Sequence, residues 1–357
     1  MQELKGEALT EKISSYLLEN GAVRVGFSTK ETLQESPPGA DITYLMEDGL
    51  SAISFVLPIN KEYIRRFLAK EDRLAHQRDK MATYIKARDL SDGVAEMLRG
   101  DGYNAIGTAP NSTYRMEEKE WYFSPEISHQ YLAVASGAAS FGWSGSVGIK
   151  GYGSAVLLGT TITDAELAPT YPIPAEDGFC SNCKACVGAC PTEMFSGKEE
   201  TTVTLGGREY TYAARIDLFR CLVCCGGDTG LHKSKKWSSW SPGRYEIRED
   251  RDGPRETLRR AGEVRAKRIQ LAGGGPSSQF FSADTDPEKP SNPVIVTCGY
   301  CSFVCTGDRK ENAENLKILR ESGCVIQYPD GSIKVLPSDE AEEAFNQFPP
   351  EHRALYC

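Results

Sequence analysis

Cysteine is the residue type whose spacing most clearly indicates chemistry in this chain. Residues 180 to 191 have the sequence Cys180-Ser-Asn-Cys183-Lys-Ala-Cys186-Val-Gly-Ala-Cys190-Pro, a C-x2-C-x2-C-x3-C-P run. Three thiolates at this spacing bind one iron–sulfur cluster, while the fourth, followed by proline, binds a second cluster. A zinc ribbon is the alternative, but it has two C-x-x-C pairs and needs neither the third cysteine nor the Cys-Pro end. The run therefore predicts a cluster and a partner motif.

The partner motif is the C-x2-C-x3-C run of residues 298–305, which has one cysteine too few for a four-thiolate cluster. We expect a lone upstream cysteine, Cys221, to complete it. Cys224 and Cys225 stand in the same short stretch, and spacing alone leaves them open as alternatives.

Each run is expected to donate its last cysteine to the other run's cluster. The first predicted ligand set is Cys180, Cys183, Cys186 and Cys305. The second predicted ligand set is Cys190, Cys221, Cys298 and Cys301. Two [4Fe-4S] clusters follow, and the distant cysteines Cys324 and Cys357 are expected to be ordinary free thiols.

Length and composition indicate a folded protein. The 357 residues, 40% apolar and 25% charged, suit one large or two ordinary domains. The first residues lack a basic region followed by an apolar run, and no stretch reaches membrane-spanning length. Cysteines in cluster spacings favour a reducing compartment. We therefore expect an oxygen-sensitive cytoplasmic protein that works under anaerobic conditions, without a membrane partner.

The charge balance argues against nucleic acid as a partner, since the formal net charge is −9 and thiolate-bound clusters would add to it. A local basic run over 233–268 is interpreted as a solvated helix face balanced by nearby acidic residues. A docking patch for an acidic electron donor is the alternative.

An α/β lobe is predicted ahead of the cysteine runs. Helices are expected over 9–20 and 61–99, and strands over 22–27, 51–58, 102–107 and 155–163. The second helical stretch contains His76 among charged residues, and we interpret this histidine as a surface residue.

Glycine recurs between Ser136 and Ser154, where it occupies positions 137, 142, 145, 148, 151 and 153. Such a segment lets bare backbone approach a bulky group. It lacks the Gly-Lys-Ser/Thr of a phosphate loop, and it leads into a strand instead of the helix of a dinucleotide site. A mobile surface loop and the wall of a cofactor site both agree with it.

A proline-rich joint over 169–177 precedes the cluster domain. Within that domain, a long insertion over 228–296 contains Trp237 and Trp240 and is a candidate lid. The last predicted elements are a polar helix over 309–322 and a hairpin over 325–336.

With these features together, residues 8–320 resemble the family of epoxyqueuosine reductases and respiratory reductive dehalogenases. Beyond the cysteines, the resemblance is carried by Phe-Gly-Trp-Ser-Gly over 141–145 and by Gly-Ser-Ala-Val-Leu-Leu-Gly-Thr-Thr-Ile-Thr-Asp over 153–164. They match the family's Gly-Leu-Gly-Trp-x-Gly and Gly-Ser-x-x-x-Leu-Gly-x-x-x-x-Asp segments. An isolated cysteine ahead of a C-x2-C-x3-C run is also typical of this family, which favours Cys221.

The resemblance implies an α+β fold, in which a nitroreductase-like α/β lobe, residues 1–177, joins a bacterial ferredoxin-like two-cluster module, residues 178–320. The 228–296 insertion belongs to that module, and residues 321–357 form a C-terminal hairpin and tail. A corrinoid (cobalamin) would lie between lobe and module, with one cluster near the cobalt and the other near the surface. The expected cofactor-binding residues are Gly142, Trp143, Gly145, Gly148, Gly153 and Ser154.

The resemblance also implies a proton donor. Epoxyqueuosine reductases have an aspartate seventeen residues before the tryptophan of Gly-Trp-x-Gly, and this position is Glu126 here. A buried carboxyl group beside a corrinoid can act as a general acid, and Tyr122, His129 and Tyr131 are neighbouring candidates. The alternative is a glutamate at a helix N-terminus after Pro125, where the helix dipole favours it.

The implied function is a corrinoid-dependent reductase acting on a small molecule. Electrons from a low-potential donor such as a ferredoxin or flavodoxin would pass through two clusters to cobalt, and a carbon–heteroatom or carbon–halogen bond would be cleaved. One alternative is a two-cluster electron-transfer or corrinoid-reducing protein without its own substrate. Trp237, Trp240 and the tyrosines over 122–131 should line a closed pocket in the reductase and be exposed in the carrier.

A second alternative is a tRNA epoxyqueuosine reductase. Several departures from the family pattern argue against it. The Ser-Ala-Pro after the family's aspartate is replaced by residues 127–129, Ile-Ser-His, and the Gly-Lys after its tryptophan is Gly145-Ser146. Thr306 follows the final cysteine where the family has proline. The acidic balance of the chain points the same way.

Overall fold

This computed structural model describes residues 2–108, 110, 113–250, 252–271 and 298–357. In chain order, its helices and strands are α1 (Gln2–Glu19), β1 (Arg24–Thr29), β2 (Ser51–Pro58), α2 (Lys61–Leu68), α3 (Leu74–Gly100), β3 (Ala105–Thr108), α4 (His129–Ala135), β4 (Ser140–Phe141), β5 (Val147–Gly148), β6 (Val156–Thr163), α5 (Ala185–Gly188), β7 (Phe195–Leu205), β8 (Arg208–Arg215), α6 (Leu218–Cys225), α7 (Gly253–Leu271), α8 (Tyr300–Phe303), α9 (Arg309–Glu321), β9 (Cys324–Gln327), β10 (Ile333–Leu336), α10 (Ser338–Gln347) and α11 (Pro350–Arg353). The expected mixture of helix and sheet is confirmed. The domain boundaries stay predictions.

A four-stranded antiparallel sheet organises the first half of the chain in the order β1-β2-β6-β3. Its central strand β2 is buried on both faces, because α1 and α3 pack against one face of the sheet and α4 packs against the other. Gly159 of β6 lies opposite Phe55 of β2, and a Cβ atom at Gly159 would overlap the Phe55 ring. The glycine therefore gives this ring its place in the core.

The predicted helix over 61–99 is two helices, α2 and α3, separated by a break at Lys70, which has a φ of +58°. The prediction of a surface position for His76 was wrong, since this residue is fully buried. The centroid of its ring lies 4.6 Å from that of Phe67 and 4.4 Å from that of Phe303. Burial lowers the pKa of His76 to about 3, so the imidazole is neutral.

A β-hairpin that the sequence analysis did not identify lies between the first cysteine run and α6. Strands β7 and β8 are joined by Gly206 and Gly207, whose φ values of +57° and +71° suit a two-residue hairpin turn. The hairpin extends back over the first lobe, where the backbone N–H of Gly206 donates to Ser36 Oγ at 2.9 Å. Tyr212 of β8 packs against Phe141 of the glycine-rich segment.

The described part of the 228–296 insertion is packed against the protein. Trp237 and Trp240 are 1% and 8% exposed, so neither is exposed as the electron-carrier alternative expects, but neither lines the cavity described below as the reductase expects. Their partners are core side chains of α2 and α8. Trp240 Nε1 donates to the Phe67 carbonyl at 3.0 Å, and its backbone N–H donates to Tyr300 Oη at 3.0 Å.

The basic run over 233–268 is only partly a solvated face. Arg265 and Arg268 of α7 form ion pairs with Asp228, which is fully buried. For these two residues the prediction was wrong, because their side chains anchor α7 to the loop after α6. Arg259 does follow the prediction, being an exposed residue that pairs with Glu256 at 2.7 Å.

The C-terminal hairpin of β9 and β10 is confirmed, and α10 and α11 extend the tail beyond what the sequence predicted. The tail is attached through Gln327 of β9, whose side-chain oxygen accepts from Tyr356 Oη at 2.8 Å. Among the described helices, none has the length and apolar character to cross a membrane.

Candidate functional site

Cys305 lies among the cysteines of the first run, although it is far from them in sequence. Burial and then the charges of Cys305 and Cys180 raise the pKa of Cys186 to about 11. The side-chain nitrogen of Asn312 lies 3.4 Å from Cys183 Sγ and 3.9 Å from Cys305 Sγ. All four cysteines of the first predicted ligand set are thus brought together.

Two short helices present the cysteines of the two runs. Helix α5 begins after Lys184, which has a φ of +59°, and α8 begins after Gly299, which has a φ of +117°. These left-handed residues turn the chain sharply, so that backbone N–H groups face the sulfur atoms. The Trp143 N–H also donates to Cys180 Sγ at 3.3 Å. Such hydrogen bonds favour the thiolate form, which is the form that binds iron.

Cys190 leaves the first run and lies beside Cys298. Burial and then the charge of Cys298 raise the pKa of Cys190. Burial also raises the pKa of Cys301, with further contributions from the charges of Cys298 and Cys190. The backbone N–H of Met194 donates to Cys190 Sγ at 3.3 Å. Cys190 thus lies near cysteines of the second run and Cys305 near those of the first, while the exchange of ligands between two clusters stays a prediction.

Helix α6 brings three further cysteines to this second group. Asp217 caps the helix by accepting from the Phe219 N–H at 2.7 Å. Positions 221, 224 and 225 then share one side of the helix, since they are three and four residues apart. Burial, and next the charge of Cys298, raise the pKa of Cys221, while a hydrogen bond to Cys298 is the largest cause of the raised pKa of Cys224. Burial and then the charge of Cys298 raise the pKa of Cys225 to about 11. All three candidates reach the second group, and the choice of Cys221 stays a prediction.

The cysteine geometry can be tested against the metal centre that it implies. In the part of the chain that the structure describes, no three His, Cys, Asp or Glu side chains are close enough to hold one metal ion. The thiolates around a four-iron cube each bind a different iron, so they stand farther apart than the ligands of a single zinc ion. Two groups of four or more buried or partly buried thiols, spread in this way, fit two cubes.

The indole nitrogen of Trp143 supplies a second observation. Trp143 Nε1 is buried and has no hydrogen-bond partner among the described residues. Its ring packs against a buried cluster that includes Cys190, which Cys221 and Cys301 also border. A buried N–H donor normally has an acceptor, and the sulfur atoms of a cluster would provide one here.

A cavity of about 700 Å³ lies between the first lobe and the cysteine groups. Its walls come from the sheet, α4, the glycine-rich segment and the β7–β8 hairpin. They include Tyr84, Pro110, Tyr114, Arg115, Phe123, His129, Tyr131, Phe141, Gly145, Ser146, Ser154, Leu158, Tyr212, Arg215, Leu218 and Ser302. Ser302 directly follows Cys301, and Leu218 opens the helix that carries Cys221. The cavity therefore adjoins the second cysteine group.

The predicted cofactor-binding glycines have close protein neighbours. A Cβ atom at Gly153 would overlap the backbone of residues 305–307, and the next residue, Ser154, donates its N–H to the Cys305 carbonyl at 3.2 Å. Gly142 and Gly148 similarly approach the Phe179 ring. The segment thus packs tightly on the cluster loops, which explains several of its glycines without a cofactor. Gly145 and Ser154 also line the cavity.

The predicted proton donors are placed differently from one another. His129 and Tyr131 line the cavity, and His129 Nδ1 lies 2.8 Å from Thr160 Oγ1. Burial and then the neighbouring Tyr212 raise the pKa of Tyr131. The partly buried Glu126 is held through its backbone, which donates to Thr113 and accepts from Arg115. The side chain of Tyr122 lies outside what the structure describes.

Sequence reasoning missed several residues of the cavity wall. Arg115 stacks over the Tyr44 ring at 3.9 Å, and its Nε is buried without a hydrogen-bond partner. Tyr212 and Arg215 reach the cavity from the unpredicted hairpin. Only the pair Gly206-Gly207, between two runs of alternating residues, signalled that hairpin in the sequence.

Known proteins resemble this chain in structure rather than in sequence. No family model matches it, and no curated protein matches it. The structure is similar to that of a reductive dehalogenase described with a mechanism for B12-dependent dehalogenation, with 17% identity and a TM-score of 0.47. That match covers 74% of this chain and 36% of the dehalogenase, so the chain spans about a third of its length.

Epoxyqueuosine reductases are the second kind of similar structure. The enzyme from Bacillus subtilis is 15% identical with a TM-score of 0.41, and the match covers 87% of this chain and 81% of that one. An epoxyqueuosine reductase bound to a modified tRNA stem loop is 14% identical with a TM-score of 0.39, covering 87% and 80%. The similar structures are thus of the two kinds named from the sequence, reductive dehalogenases and epoxyqueuosine reductases.

Proposed function

We propose that this chain is a corrinoid-dependent iron–sulfur reductase that acts on a small molecule. In this proposal residues 1–177 are a nitroreductase-like lobe and residues 178–320 are a ferredoxin-like module with two [4Fe-4S] clusters. The observation that carries it is that Cys190 lies near Cys298 and that Cys305 lies near Cys180 and Cys186, each beside cysteines of the other run. A single metal ion needs no such exchange, whereas two neighbouring clusters of the ferredoxin type require it.

The two clusters would form a short electron path. The first is held by Cys180, Cys183, Cys186 and Cys305, and the second by Cys190, Cys221, Cys298 and Cys301. Ser181, Asn182 and Lys184 of the first run are exposed, whereas the second group is beside the cavity. Electrons from a low-potential donor, such as a ferredoxin or flavodoxin, would therefore enter at the first cluster and leave from the second.

The cavity is the proposed corrinoid and substrate site. A bound corrinoid supplies a strongly reducing cobalt centre suited to cleaving carbon–heteroatom or carbon–halogen bonds. Gly145, Ser146 and Ser154 would approach it through small side chains or bare backbone. Arg115 and Arg215 also line the cavity, and their guanidinium groups are donors suited to an amide oxygen of a corrinoid or to a substrate oxygen. Phe123 and Phe141 exclude water from the same wall.

Proton delivery is assigned to the groups around α4. Tyr131 lines the cavity, and its phenol is protonated at neutral pH, so it can donate a proton or a hydrogen bond there. His129 is oriented by Thr160. Glu126 is the donor that the family resemblance implies, but it is not among the residues that line the cavity. Turnover by Glu126→Gln and by Tyr131→Phe, assayed with both clusters intact, separates these roles. A residue whose variant keeps full turnover is not the proton donor.

The proposed substrate is a small molecule instead of a tRNA. The formal net charge of −9 disfavours a nucleic-acid partner, because phosphate contacts require basic surface. Single turnover of a halogenated phenol, compared with a tRNA stem loop that carries epoxyqueuosine, distinguishes these substrates.

The decisive test is purification under anaerobic conditions with cobalamin supplied, followed by iron, sulfide and cobalt counts. About eight irons with one cobalt per chain supports the reductase. About eight irons without cobalt, after a full attempt at loading, supports an electron-transfer protein without its own substrate. Zinc in place of iron contradicts both.

A further inference from the structure

Lys80 lies on α3 against the second cysteine group. Burial lowers the pKa of its amine, and the charges of Cys225, Cys298 and Cys301 act on the amine in the opposite direction. Its Nζ lies 5.3 Å from the centroid of the Phe303 ring, in the helix that also carries Cys301. The ammonium group is therefore next to the thiols and partly shielded from water by an aromatic ring.

The inward face of α3 fixes this position. His76, Lys80 and Tyr84 are four residues apart and share one side of the helix. His76 is buried against the Phe303 ring, while Tyr84 lines the cavity. Lys80 lies between them, with its Nζ 5.9 Å from the Tyr84 ring centroid. The lysine is thereby held at the junction of the core, the second cysteine group and the cavity.

No carboxylate neutralises Lys80 within the described residues. None of the ion pairs in that part of the chain includes it, and the acidic residue next to it, Asp79, accepts from the Asn60 N–H instead. The neighbouring His76 is neutral. A cation shielded from water is costly unless an anion lies close by. The negative charges that act on Lys80 are those of Cys225, Cys298 and Cys301 in the second group.

We infer that Lys80 is the counter-cation of the second iron–sulfur cluster and sets its reduction potential. The inference rests on the proposed function, since it requires that the cluster exists. A reduced cluster carries one more negative charge than an oxidised cluster, so a fixed ammonium group stabilises the reduced form. Lys80 thereby raises the reduction potential of the cluster beside the cavity, which favours electron transfer toward the cavity.

The test is a potentiometric titration of the anaerobic, iron-loaded protein followed by electron paramagnetic resonance. Lys80→Met removes the charge and keeps most of the side-chain volume, and Lys80→Arg keeps the charge. Lys86→Met is the matched control, because Lys86 is an exposed residue on the same helix. We expect Lys80→Met to lower the midpoint potential of one cluster only, with the iron count unchanged. The other cluster, the Lys80→Arg protein and the control should keep their potentials.

Each remaining outcome has a definite meaning. Unchanged potentials of both clusters in a fully loaded Lys80→Met protein overturn the inference and leave the proposed reductase intact. Loss of half the iron in Lys80→Met but not in Lys80→Arg supports it, since the charge is then needed to hold the cluster. The same loss in both variants overturns it, because shape and not charge would then matter. Absence of iron from the unmodified protein defeats the proposed function itself.

Discussion

Cys183 and Cys305 share one hydrogen-bond donor, the side-chain amide of Asn312, at 3.4 Å and 3.9 Å from their sulfur atoms. The carbonyl end of the same amide accepts from the Thr306 N–H at 2.7 Å, which fixes its orientation. Asn312 is buried at the start of α9, so its donor has no competition from water. Two cysteines from opposite runs are thus linked by a single buried group.

We predict that Asn312→Ala weakens the first cluster selectively. Removing the amide takes a donor from both sulfurs, and hydrogen bonds to cluster sulfurs raise the reduction potential. The midpoint potential of one cluster should fall, and that cluster should be lost faster on exposure to air. Iron release and electron paramagnetic resonance measure the two effects. The control Asn346→Ala changes an exposed asparagine and should match the unmodified protein; equal behaviour of both variants refutes the prediction.

Trp240 is predicted to act as a structural anchor of the cluster module. Trp240→Phe keeps an aromatic ring but leaves the Phe67 carbonyl without its indole donor, which lies at 3.0 Å. That carbonyl still accepts from the Lys70 N–H, so the loss is that of one buried hydrogen bond, about 0.5–1.5 kcal/mol of unfolding free energy. Denaturant unfolding should show this loss, with an unchanged iron count. The comparison is Trp121→Phe, at a side chain that is 39% exposed, for which we expect about 0.5 kcal/mol or less.

Local signals in the sequence were sufficient for the cysteine groups and the central strands. Cluster spacing is a property of a few consecutive residues, so the nearness of Cys305 to the first run and of Cys190 to the second could be predicted by counting thiolates. The buried strand β2 is a largely apolar run and β6 is rich in β-branched residues, and both signals are local. The hairpin at the C-terminus carried its own turn residues, Pro-Asp-Gly.

Features that depend on a distant packing partner were not predictable. His76 stands among charged residues in the sequence. Its face of α3 is buried because Phe303, from the second cysteine run, packs against it. Arg268 belongs to a basic stretch, yet it pairs with the buried Asp228, forty residues earlier in the chain. The position of Tyr212 in the cavity wall likewise depends on where the β7–β8 hairpin packs against the rest of the chain.

The buried Lys70 is predicted to make stability rise with pH. Its amine donates to Ser322 Oγ, and burial lowers its pKa to about 7. An unfolded lysine has a pKa of about 10.4, so between these values the unfolded chain holds a proton that the folded chain lacks. Folding is therefore penalised increasingly as the pH falls from about 10 to about 7, and the penalty is complete below pH 7.

Lys70→Met should remove this penalty. At pH 7 we expect the free energy of unfolding to increase by up to a few kcal/mol, since one unit of pKa shift corresponds to about 1.4 kcal/mol. The gain should shrink as the pH approaches 10. Denaturant midpoints of the anaerobic protein at several pH values between 6 and 10 measure it, and Lys267→Met, at an exposed position, is the control. A pH-independent difference between Lys70→Met and the unmodified protein would contradict the prediction.

The central claim is that the two cysteine runs exchange one ligand each, and paired cysteine variants test it most directly. The iron content of Cys180→Ala/Cys305→Ala is compared with that of Cys180→Ala/Cys190→Ala after anaerobic reconstitution. With exchange, the first pair damages one cluster and keeps about four irons, whereas the second pair damages both clusters and keeps almost none. The reverse result, with about four irons in Cys180→Ala/Cys190→Ala and almost none in Cys180→Ala/Cys305→Ala, contradicts the exchange and the electron path built on it.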